Sequence, residues 1–422
     1  MRLALSLLLL PALAQAEAAS PTWLHCGQIF DSASGKLLGE HALRIEEGRI
    51  AEVVAGAPRG EAIDLRGHTC MPGLIDLHVH LSNETNPQAY AEGFRLNPED
   101  FAFRSVGYAK RTLQAGFTTV RDLGGHIALS LRDAVDEGLI EGPRIIAAGK
   151  SLATTGGHAD PLNGVSRDLL HSFGYPGPED GVISGPLEAR RAVRQRYKEG
   201  SDMIKLTATG GVLSFAKSAD NPQFLPDEIE AIVRTARDYG FKVAAHAHGA
   251  EGMKRAVLAG VDTIEHGTYM DDEVMKLMKE RGTWYVPTLM AGAFVSEKSK
   301  DPDYYPEIVR PKAARVGPTI SATTAKAYKA GVRIAFGTDA GVFPHGQNAG
   351  EFALLVEAGM SPAEALVAAT RSAAQALGME AEIGSLEAGK HADVVAVRGD
   401  PLQNIRLMEE IDFVMKAGQR YR

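Results

Sequence analysis

Cysteine is scarce in this 422-residue sequence, which contains only Cys26 and Cys70. Two cysteines this far apart exclude a zinc ribbon and a small scaffold held by several disulfides. They leave open whether the pair forms one disulfide or remains as buried thiols, because a sequence does not give the Cα separation that pairing requires.

Positive charge is also in short supply. Lysine and arginine number 45 against 53 aspartate and glutamate residues, so the formal net charge is -8. No basic stripe or zinc finger offsets this balance, and we expect no nucleic-acid partner. A hydrophobic fraction of 45% with 23% charged residues is typical of a globular enzyme that can bury a large core.

Long hydrophobic runs are missing everywhere except at the start of the chain. Arg2 precedes an apolar run over residues 3–13, and Ala14, Gln15 and Ala16 form a small-x-small cleavage site. The run is too short to span a bilayer as a helix, so the pattern predicts a signal peptide over residues 1–16. We expect a periplasmic or secreted protein with no membrane partner.

Eight short apolar runs alternate with amphipathic segments from residue 73 onwards. The segments have helical periodicity, as in 226–239, which opens with Pro226, Asp227 and Glu228. This alternation predicts an α/β fold, a closed (β/α)8 barrel of the TIM type. An open doubly wound sheet is the alternative, but no glycine-rich dinucleotide motif follows the first strand. The runs cover residues 73–80, 117–121, 144–148, 203–207, 242–247, 261–266, 284–289 and 332–338.

The two chain ends carry a different pattern, of short strands separated by turns. We therefore predict a small β-sandwich domain built from residues 17–71 and 383–422, beside a barrel over residues 72–382. Two long loops are expected within the barrel, at 155–185 and 294–311. Loops of such length usually serve binding or assembly.

Residues able to do chemistry fall at the carboxyl ends of the predicted barrel strands, where enzymes of this fold keep their active sites. His78 and His80 end the first strand, and residues i and i+2 of a strand point to the same side. Both imidazoles can therefore reach one ion. The full set is His78, His80, Lys205, His246, His266 and Asp339.

Lys205 is the informative member of this set, because it lies in the predicted buried strand 203–207. Burial and positive neighbours lower the pKa of a lysine and favour its neutral amine. A neutral amine can add carbon dioxide and become an anionic carbamate, which could bridge two metal ions. Imidazole and carboxylate ligands suit zinc, and they suit manganese or cobalt less well.

These residues resemble the signature of the amidohydrolase superfamily. The signature consists of PGLIDLHVH at 72–80, then Lys205, His246 and His266, and finally Asp339 after Gly337-Thr338. Further segments are similar to the branch of Xaa-Pro dipeptidases, imidazolonepropionase-like enzymes and an exported bacterial amidohydrolase acting on ochratoxin A. The chain looks close to the last of these. The segments are TGGHAD at 155–160, TGGVLS at 209–214 and AHAH at 245–248.

The resemblance implies a binuclear metal centre and the roles of its ligands. One ion would be held by His78, His80 and Asp339, the other by His246 and His266, and carboxylated Lys205 would bridge them. It also implies attack on an amide carbonyl by a hydroxide that bridges the ions, with Asp339 as the proton acceptor and donor.

His158 and His248 are the expected helpers of this reaction and contacts of the substrate. Related dipeptidases often have a tyrosine at the position of His248, so their substrate preference need not carry over. Val212 and Leu213 are expected to form an apolar wall for the substrate. Arg121 is a candidate anchor for a substrate carboxylate, unless it pairs with Asp122.

The predicted function is release of a C-terminal amino acid from dipeptides or N-acyl amino acids, with ochratoxin A among the candidates. A cyclic amidase or deaminase-type amidohydrolase is the alternative enzyme class. A non-catalytic scaffold with the same fold is the non-enzymatic alternative. The resemblance further implies a homo-oligomer, with an octamer as one option.

Overall fold

The computed structural model describes residues 22–422. The predicted signal peptide over residues 1–16 therefore lies outside the described residues. Among the helices of residues 22–422, none combines the length and the apolar character that crossing a bilayer requires.

Seventeen strands are present in residues 22–422, and they separate into an end-derived sheet and the barrel. They are β1 Thr22–Asp31, β2 Lys36–Leu38, β3 His41–Glu46, β4 Arg49–Ala55, β5 Ala62–Pro72, β6 Leu74–Val79, β7 Phe117–Asp122, β8 Arg144–Ala147, β9 Ala153–Thr154, β10 Val182–Ile183, β11 Ile204–Thr207, β12 Val243–Gly249, β13 Thr263–Tyr269, β14 Trp284–Val286, β15 Val394–Arg398, β16 Phe413–Lys416 and β17 Gln419–Arg420.

Strands from both chain ends pair in one sheet of eight strands. Its order is β17-β16-β15-β5-β1-β3-β4, with β2 paired to β1, and only the β1–β5 pairing is parallel. Cys26 on β1 and Cys70 on β5 form a buried disulfide, which closes the alternative that the sequence left open. The sandwich arrangement and the domain boundaries stay predictions.

The prediction of an α/β fold with a TIM-like barrel is confirmed. Strands β6-β7-β8 and β11-β12-β13-β14 form two parallel ladders. The amide of Leu152 donates to the carbonyl of Lys205 and joins the ladders on one side. On the other side the eighth member is an extended segment, not a regular strand, and it bridges through Ile334 to Tyr285 and through Ala340 to Val79.

Helices surround these strands in the expected alternation. They are α1 Ala89–Glu92, α2 Pro98–Gln114, α3 Ala128–Asp136, α4 Arg167–Phe173, α5 Pro186–Glu199, α6 Pro226–Asp238, α7 Ala250–Ala259, α8 Asp272–Arg281, α9 Leu289–Lys298, α10 Arg310–Lys329, α11 Gly350–Glu357, α12 Pro362–Val367 and α13 Ala373–Leu377. A π-helical turn, Ala368–Ser372, joins the last two. Pro226 begins α6 at the first helical position, where its missing N–H costs no bond.

The two predicted long loops are more ordered than expected. The segment 155–185 contains the helix α4 and the short strand β10, and only 299–309 of the second segment lies between helices. The helices α9 and α10 that flank it pack closely, because Gly292 and Gly317 face each other. A Cβ at either position would come within 2.8 Å of the opposite helix. This pair of helices stands over the carboxyl end of the barrel.

Candidate metal centre

Ten of the side chains singled out in the sequence line one cavity of about 230 Å³ at the carboxyl ends of the barrel strands. Strands β6, β11, β12 and β13 and the extended eighth segment supply most of them, and His158 comes from the loop after β9. The residues brought together are His78, His80, His158, Lys205, Val212, Leu213, His246, His248, His266 and Asp339.

His78, His80 and Asp339 form the tightest group of possible metal ligands among residues 22–422. One donor atom of each lies within 4.8 Å of those of the other two. Oδ1 of Asp339 is 3.4 Å from Nε2 of His78 and 3.3 Å from Nε2 of His80. The i, i+2 spacing on β6 does place the two rings side by side, with centroids 5.3 Å apart.

Most of the histidine rings are oriented by a hydrogen bond at Nδ1, which leaves Nε2 directed at the cavity. An acceptor that fixes Nδ1 as the protonated nitrogen also fixes which nitrogen is free to bind an ion. The Nδ1 partners are Oε2 of Glu265 for His78 at 3.0 Å, the carbonyl of Gly124 for His80 at 2.9 Å, Oγ1 of Thr268 for His248 at 2.8 Å and Oγ1 of Thr288 for His266 at 2.8 Å.

His246 has the opposite orientation. Its Nε2 donates to the carbonyl of Gly210 over 2.9 Å, so Nδ1 is the nitrogen left for a ligand. The ring lies 4.7 Å from His266 and 4.4 Å from His158, between centroids. Two imidazoles of opposite orientation therefore meet on this side of the cavity.

Backbone strain is concentrated at the same strand ends. His266, Thr288 and Asp339 have φ values of 69°, 57° and 62°, a left-handed conformation that is uncommon outside glycine. Such conformations persist only where the surroundings impose them, and they cluster at functional sites. Here they aim Asp339 and His266 inward, and the Thr288 hydroxyl holds the His266 ring.

Burial keeps most of the imidazoles neutral, with free lone pairs. It lowers the pKa of His78, His246 and His266 well below 6.5, and it lowers the pKa of His248 to about 4. His80 differs. Burial lowers its pKa, but the Asp339 carboxylate outweighs this effect and leaves the pKa raised.

The Lys205 amine also lies among these rings, with Nζ 3.4 Å from Nε2 of His78. Its side chain is buried, and burial lowers its pKa to about 8. The neutral amine is therefore far more populated near neutral pH than that of an ordinary lysine. His246 and His266 supply only two ligands on their side, and Lys205 lines the same cavity, so it is a candidate to complete a second site.

These residues fit divalent metal ions. Oδ1 of Asp339 is buried and has no hydrogen-bond partner within residues 22–422. Burial alone would raise the pKa of Asp339, but His78 and His80 outweigh it, so the pKa is lowered and the group is a carboxylate. An unpartnered buried carboxylate oxygen is costly unless a cation or proton donor meets it.

Arg121 does not reach this cavity, so the expectation that it anchors a substrate carboxylate is wrong. It is buried, and it donates to Oε1 of Glu265 at 2.7 Å and to the carbonyl of Leu77 at 2.5 Å. Its partner is Glu265 and not Asp122. Sequence reasoning missed Glu265, although an acidic residue inside the buried run 261–266 was the available signal.

The apolar wall of the cavity is wider than the sequence indicated. Val212 and Leu213 line it as expected, but α9 and α10 contribute most of the rest. Their residues are Ala291, Gly292, Val295, Val316 and Ile320. Apart from the histidines, Lys205 is the one side chain among the residues lining this cavity that can carry a positive charge.

The two consecutive glycines of the loop after β11 allow His158 to approach. A Cβ on Gly211 would lie 2.1 Å from the His158 ring, and a Cβ on Gly210 would lie 2.2 Å from the carbonyl of Ser218. The amide of His158 donates to Gln223 over 2.8 Å, which holds the loop end in place. Burial lowers the pKa of His158 to about 3.

Comparison with known proteins extends these observations. The model of the amidohydrolase family matches residues 69–421. A solved Xaa-Pro dipeptidase with methionine bound in its active site superposes with a TM-score of 0.93 and is 51% identical, covering 96% of this chain and 100% of that one.

Two curated relatives are more distant. An ochratoxinase of Aspergillus niger is 34% identical over 371 residues, which is 83% of this chain and 75% of that protein. An imidazolonepropionase of Acinetobacter baumannii is 28% identical over 365 residues, or 80% of each chain.

Proposed function

Because the chain belongs to the amidohydrolase family and is a hydrolase that acts on amide bonds, we propose that it releases a C-terminal amino acid from dipeptides or N-acyl amino acids. The observation that carries this proposal is the convergence of six imidazoles, four of them proposed metal ligands, with one buried lysine and one unpartnered carboxylate in a single cavity.

Two divalent ions complete this proposal, with zinc as the proposed metal. His78, His80 and Asp339 would hold one ion, and His246 and His266 would hold the other. Lys205, carboxylated by carbon dioxide, would join the two sites. When bound, such an ion pair lowers the pKa of a water and polarises a carbonyl.

The residues around that centre divide the remaining tasks. Asp339 is ionised and its Oδ1 is free, so it accepts a proton from the attacking water and returns it to the leaving amine. His158 is neutral and faces the cavity, so a protonated ring nitrogen can donate to the developing oxyanion. His248 is also neutral, and it can donate from Nε2 when the Thr268 hydroxyl donates to its Nδ1. Glu265 fixes the His78 ring throughout.

The apolar wall supports an apolar side chain on one half of the substrate. Leu213, Val295 and Ile320 line that space. A solved relative binds methionine in its active site, and another acts on ochratoxin, as their names state. We infer a preference for substrates with a hydrophobic amino acid, and ochratoxin A is a candidate.

An exported enzyme remains part of the proposal. The signal peptide predicted over residues 1–16 supports a periplasmic or secreted location, and the Cys26–Cys70 disulfide suits an oxidising compartment. A homo-oligomer, with an octamer as one option, stays a prediction.

A single substrate panel with metal analysis tests the proposal. Purified enzyme is assayed with ochratoxin A, Xaa-Pro dipeptides, other dipeptides and N-acetyl amino acids, and the metal content is measured on the same sample. We expect amide hydrolysis with about two ions per chain. One ion per chain with activity only on cyclic amides or amino-heterocycles would favour the deaminase type instead.

Replacement of Lys205 tests the bridging role directly. In Lys205→Ala we expect the metal content to fall to one ion or fewer per chain and the activity to fall to background. Lys242→Ala is the matched control, because Lys242 forms a partly exposed ion pair with Asp262. A Lys205→Ala enzyme with two ions and full activity would overturn the carbamate.

A further inference from the structure

A buried ion pair in the barrel interior has no part in the proposed reaction so far. Arg121 on β7 reaches Glu265 on β13, a strand that is not a neighbour of β7 in either ladder. Arg121 is 2% exposed and Glu265 is 0% exposed. Neither residue lines the cavity of the metal centre, so any role in the reaction must act through another residue.

Each nitrogen of the Arg121 guanidinium has an acceptor. Nε donates to the carbonyl of Leu77 over 2.5 Å, Nη1 to Oγ1 of Thr263 over 3.2 Å and Nη2 to Oε1 of Glu265 over 2.7 Å. The Thr263 hydroxyl donates to the same Oε1. These contacts hold the guanidinium and the carboxylate in fixed positions relative to β6 and β13.

The other oxygen of Glu265 determines which nitrogen of His78 is free. Oε2 accepts from Nδ1 of His78 over 3.0 Å, and Nε2 of the same ring lies 3.4 Å from Oδ1 of Asp339. An arginine can only donate and a carboxylate can only accept. With Oε1 held by Arg121, the His78 ring therefore carries its proton on Nδ1, and Nε2 keeps the lone pair that a metal ion requires.

Stability alone is a weak reason for an ion pair at this position. The cost of desolvating two buried charges offsets much of their attraction, and apolar residues of similar volume often stabilise a protein equally well or better. Apolar residues cannot supply hydrogen-bond donors in a fixed direction, whereas a planar guanidinium can. Orientation of the Glu265 carboxylate is thus what Arg121 contributes here.

We propose that Arg121 is a positioning residue for the metal centre. By holding Glu265 as an acceptor, it fixes the tautomer of His78 in which Nε2 binds the ion. This inference rests on the proposed metal centre, because it assigns the residue that prepares one of its ligands. Groups that orient a ligand in this way typically change metal affinity by about 10- to 100-fold. The effect should therefore be visible in metal retention as well as in activity.

Glu265→Gln tests the direction of the hydrogen bond. Arg121 still requires an acceptor, so the amide oxygen of the glutamine turns to Arg121 and its NH2 group turns to Nδ1 of His78. The ring then accepts at Nδ1 and carries its proton on Nε2, where it blocks the ion. We expect EDTA to remove the first ion about 10- to 100-fold faster than from wild type. An unchanged release rate would overturn the proposal.

Arg121→Met in the Glu265→Gln background separates positioning from a structural role. Without the arginine, the amide oxygen can turn to His78, and the Thr263 hydroxyl can accept from the amide NH2 group. The double variant should therefore release its first ion about tenfold more slowly than Glu265→Gln. A merely structural role predicts the opposite, because a further buried contact is lost. Release as fast as in Glu265→Gln, or faster, would contradict positioning.

Arg121→Lys tests the arginine without leaving a buried carboxylate unpaired. Lysine keeps the charge but lacks the planar fork that reaches three acceptors, so release should be about 3- to 10-fold faster than in wild type. Arg196→Lys is the matched control, since Arg196 is also buried and donates to the carbonyls of Lys150 and Glu179. Thermal unfolding of the metal-free proteins shows that the variants are folded. Equal release rates in the two lysine variants would overturn the proposal.

The two levels of inference fail differently. If wild-type enzyme retains no ion and cleaves no amide in the substrate panel, the proposed function itself is wrong. If wild type holds two ions and the variants at Glu265 and Arg121 release them at the same rate, the metal centre stands and only the positioning role of Arg121 is lost.

Discussion

At the scale of single residues, the absence of one carbon atom allows His158 to enter the site. The His158 ring fills the space beside Gly211 that a Cβ would occupy. The ring thereby comes within 4.4 Å of the His246 ring, between centroids. A contact this close makes Gly211 a sensitive point in the loop that also carries Val212 and Leu213.

We expect Gly211→Ala to displace His158 and to lower kcat/KM by about tenfold or more, because misplacement of a group by 1 Å can cost up to 100-fold. Metal content should be unchanged, since the atoms nearest to this Cβ all belong to His158, which is not a proposed ligand. Kinetics and metal analysis on one preparation check the prediction. Gly67→Ala is the control, because nothing lies within 4 Å of a Cβ at that position. Equal losses of kcat/KM in both variants would contradict the role given to Gly211.

The residue scale also shows how far the sequence could predict the site. His78, Lys205 and Asp339 could be singled out because strand ends carry the chemistry of a barrel and few residue types bind metal. The sequence could not show which ring nitrogen is free, because the partners that decide it, such as Thr288, come from other parts of the barrel. Arg121 was misjudged for the same reason, since Glu265 lies far from it in sequence.

At the scale of elements, the pair α9 and α10 sets the shape of the cavity. The sequence did not predict α9 as a helix. One side of α9 packs against the barrel and α10, while Ala291 and Val295 also line the cavity, so apolar residues occur on more than one face. A helix that is apolar on several sides lacks the clear 3.6-residue pattern on which such a prediction depends.

Lys312 ties α10 to the loop after β11. Its Nζ donates to the carbonyls of Gly211, Ser214 and Ala216 at 3.1, 2.7 and 2.7 Å. Tyr90 adds a hydrogen bond to the carbonyl of Leu213 at 2.7 Å. The loop that carries the apolar wall is therefore held from two sides.

We expect Lys312→Met to loosen this loop, to raise KM for apolar substrates by about tenfold and to lower stability by about 1–3 kcal/mol, with a smaller change in kcat. Lys326→Met on the same helix is the control. Its partner Asp272 is exposed, and such pairs contribute about 0–1 kcal/mol. Steady-state kinetics and thermal unfolding of both variants test this prediction. A loss of stability with unchanged KM would show that Lys312 does not shape the site.

Glu351 makes the start of α9 sensitive to pH. It accepts hydrogen bonds from the amides of Leu289 and Met290 at 2.8 and 2.6 Å, and burial raises its pKa to about 8. The folded-state pKa lies above the ordinary value of 4.5, so ionisation opposes folding. This destabilisation is absent below about pH 4.5 and grows until about pH 8.

Glu351→Gln should remove this dependence, because glutamine resembles the neutral acid and does not ionise. The Tm of wild type minus that of the variant should fall as pH rises from 5 to 8, by about 2 °C or more. Thermal unfolding of both proteins at several pH values measures the difference. A constant difference across this range would mean that Glu351 titrates outside it.

At the scale of the whole molecule, the barrel and the end-derived sheet share one continuous core. Phe30, Val395 and Val414 of the sheet belong to the same cluster of buried residues as Val120 and Ile264 of the barrel. Arg144 and Asp393 add an ion pair at 2.7 Å between the two parts. The sequence predicted the two parts by their strand patterns, but such contacts depend on packing that no local pattern specifies.

The Cys26–Cys70 disulfide lies in the sheet, whereas the site lies at the barrel mouth. Loss of the disulfide should therefore lower stability without changing activity. The bond joins residues 44 positions apart. In the chain-entropy model a loop of that length contributes about 4 kcal/mol to stability. We expect the double variant Cys26→Ala, Cys70→Ala to unfold at a lower temperature and at lower denaturant concentration.

Its kcat/KM at 25 °C should equal that of wild type, because both cysteines are buried within the sheet and neither lines the cavity. Reductant should lower the Tm of wild type and leave the double variant unchanged, which separates loss of the bond from other effects of the reagent. A double variant as stable as wild type would show that the disulfide adds nothing to the sheet. A large fall in kcat/KM at 25 °C would show that the sheet shapes the metal centre, because the shared core is the path by which the two parts touch.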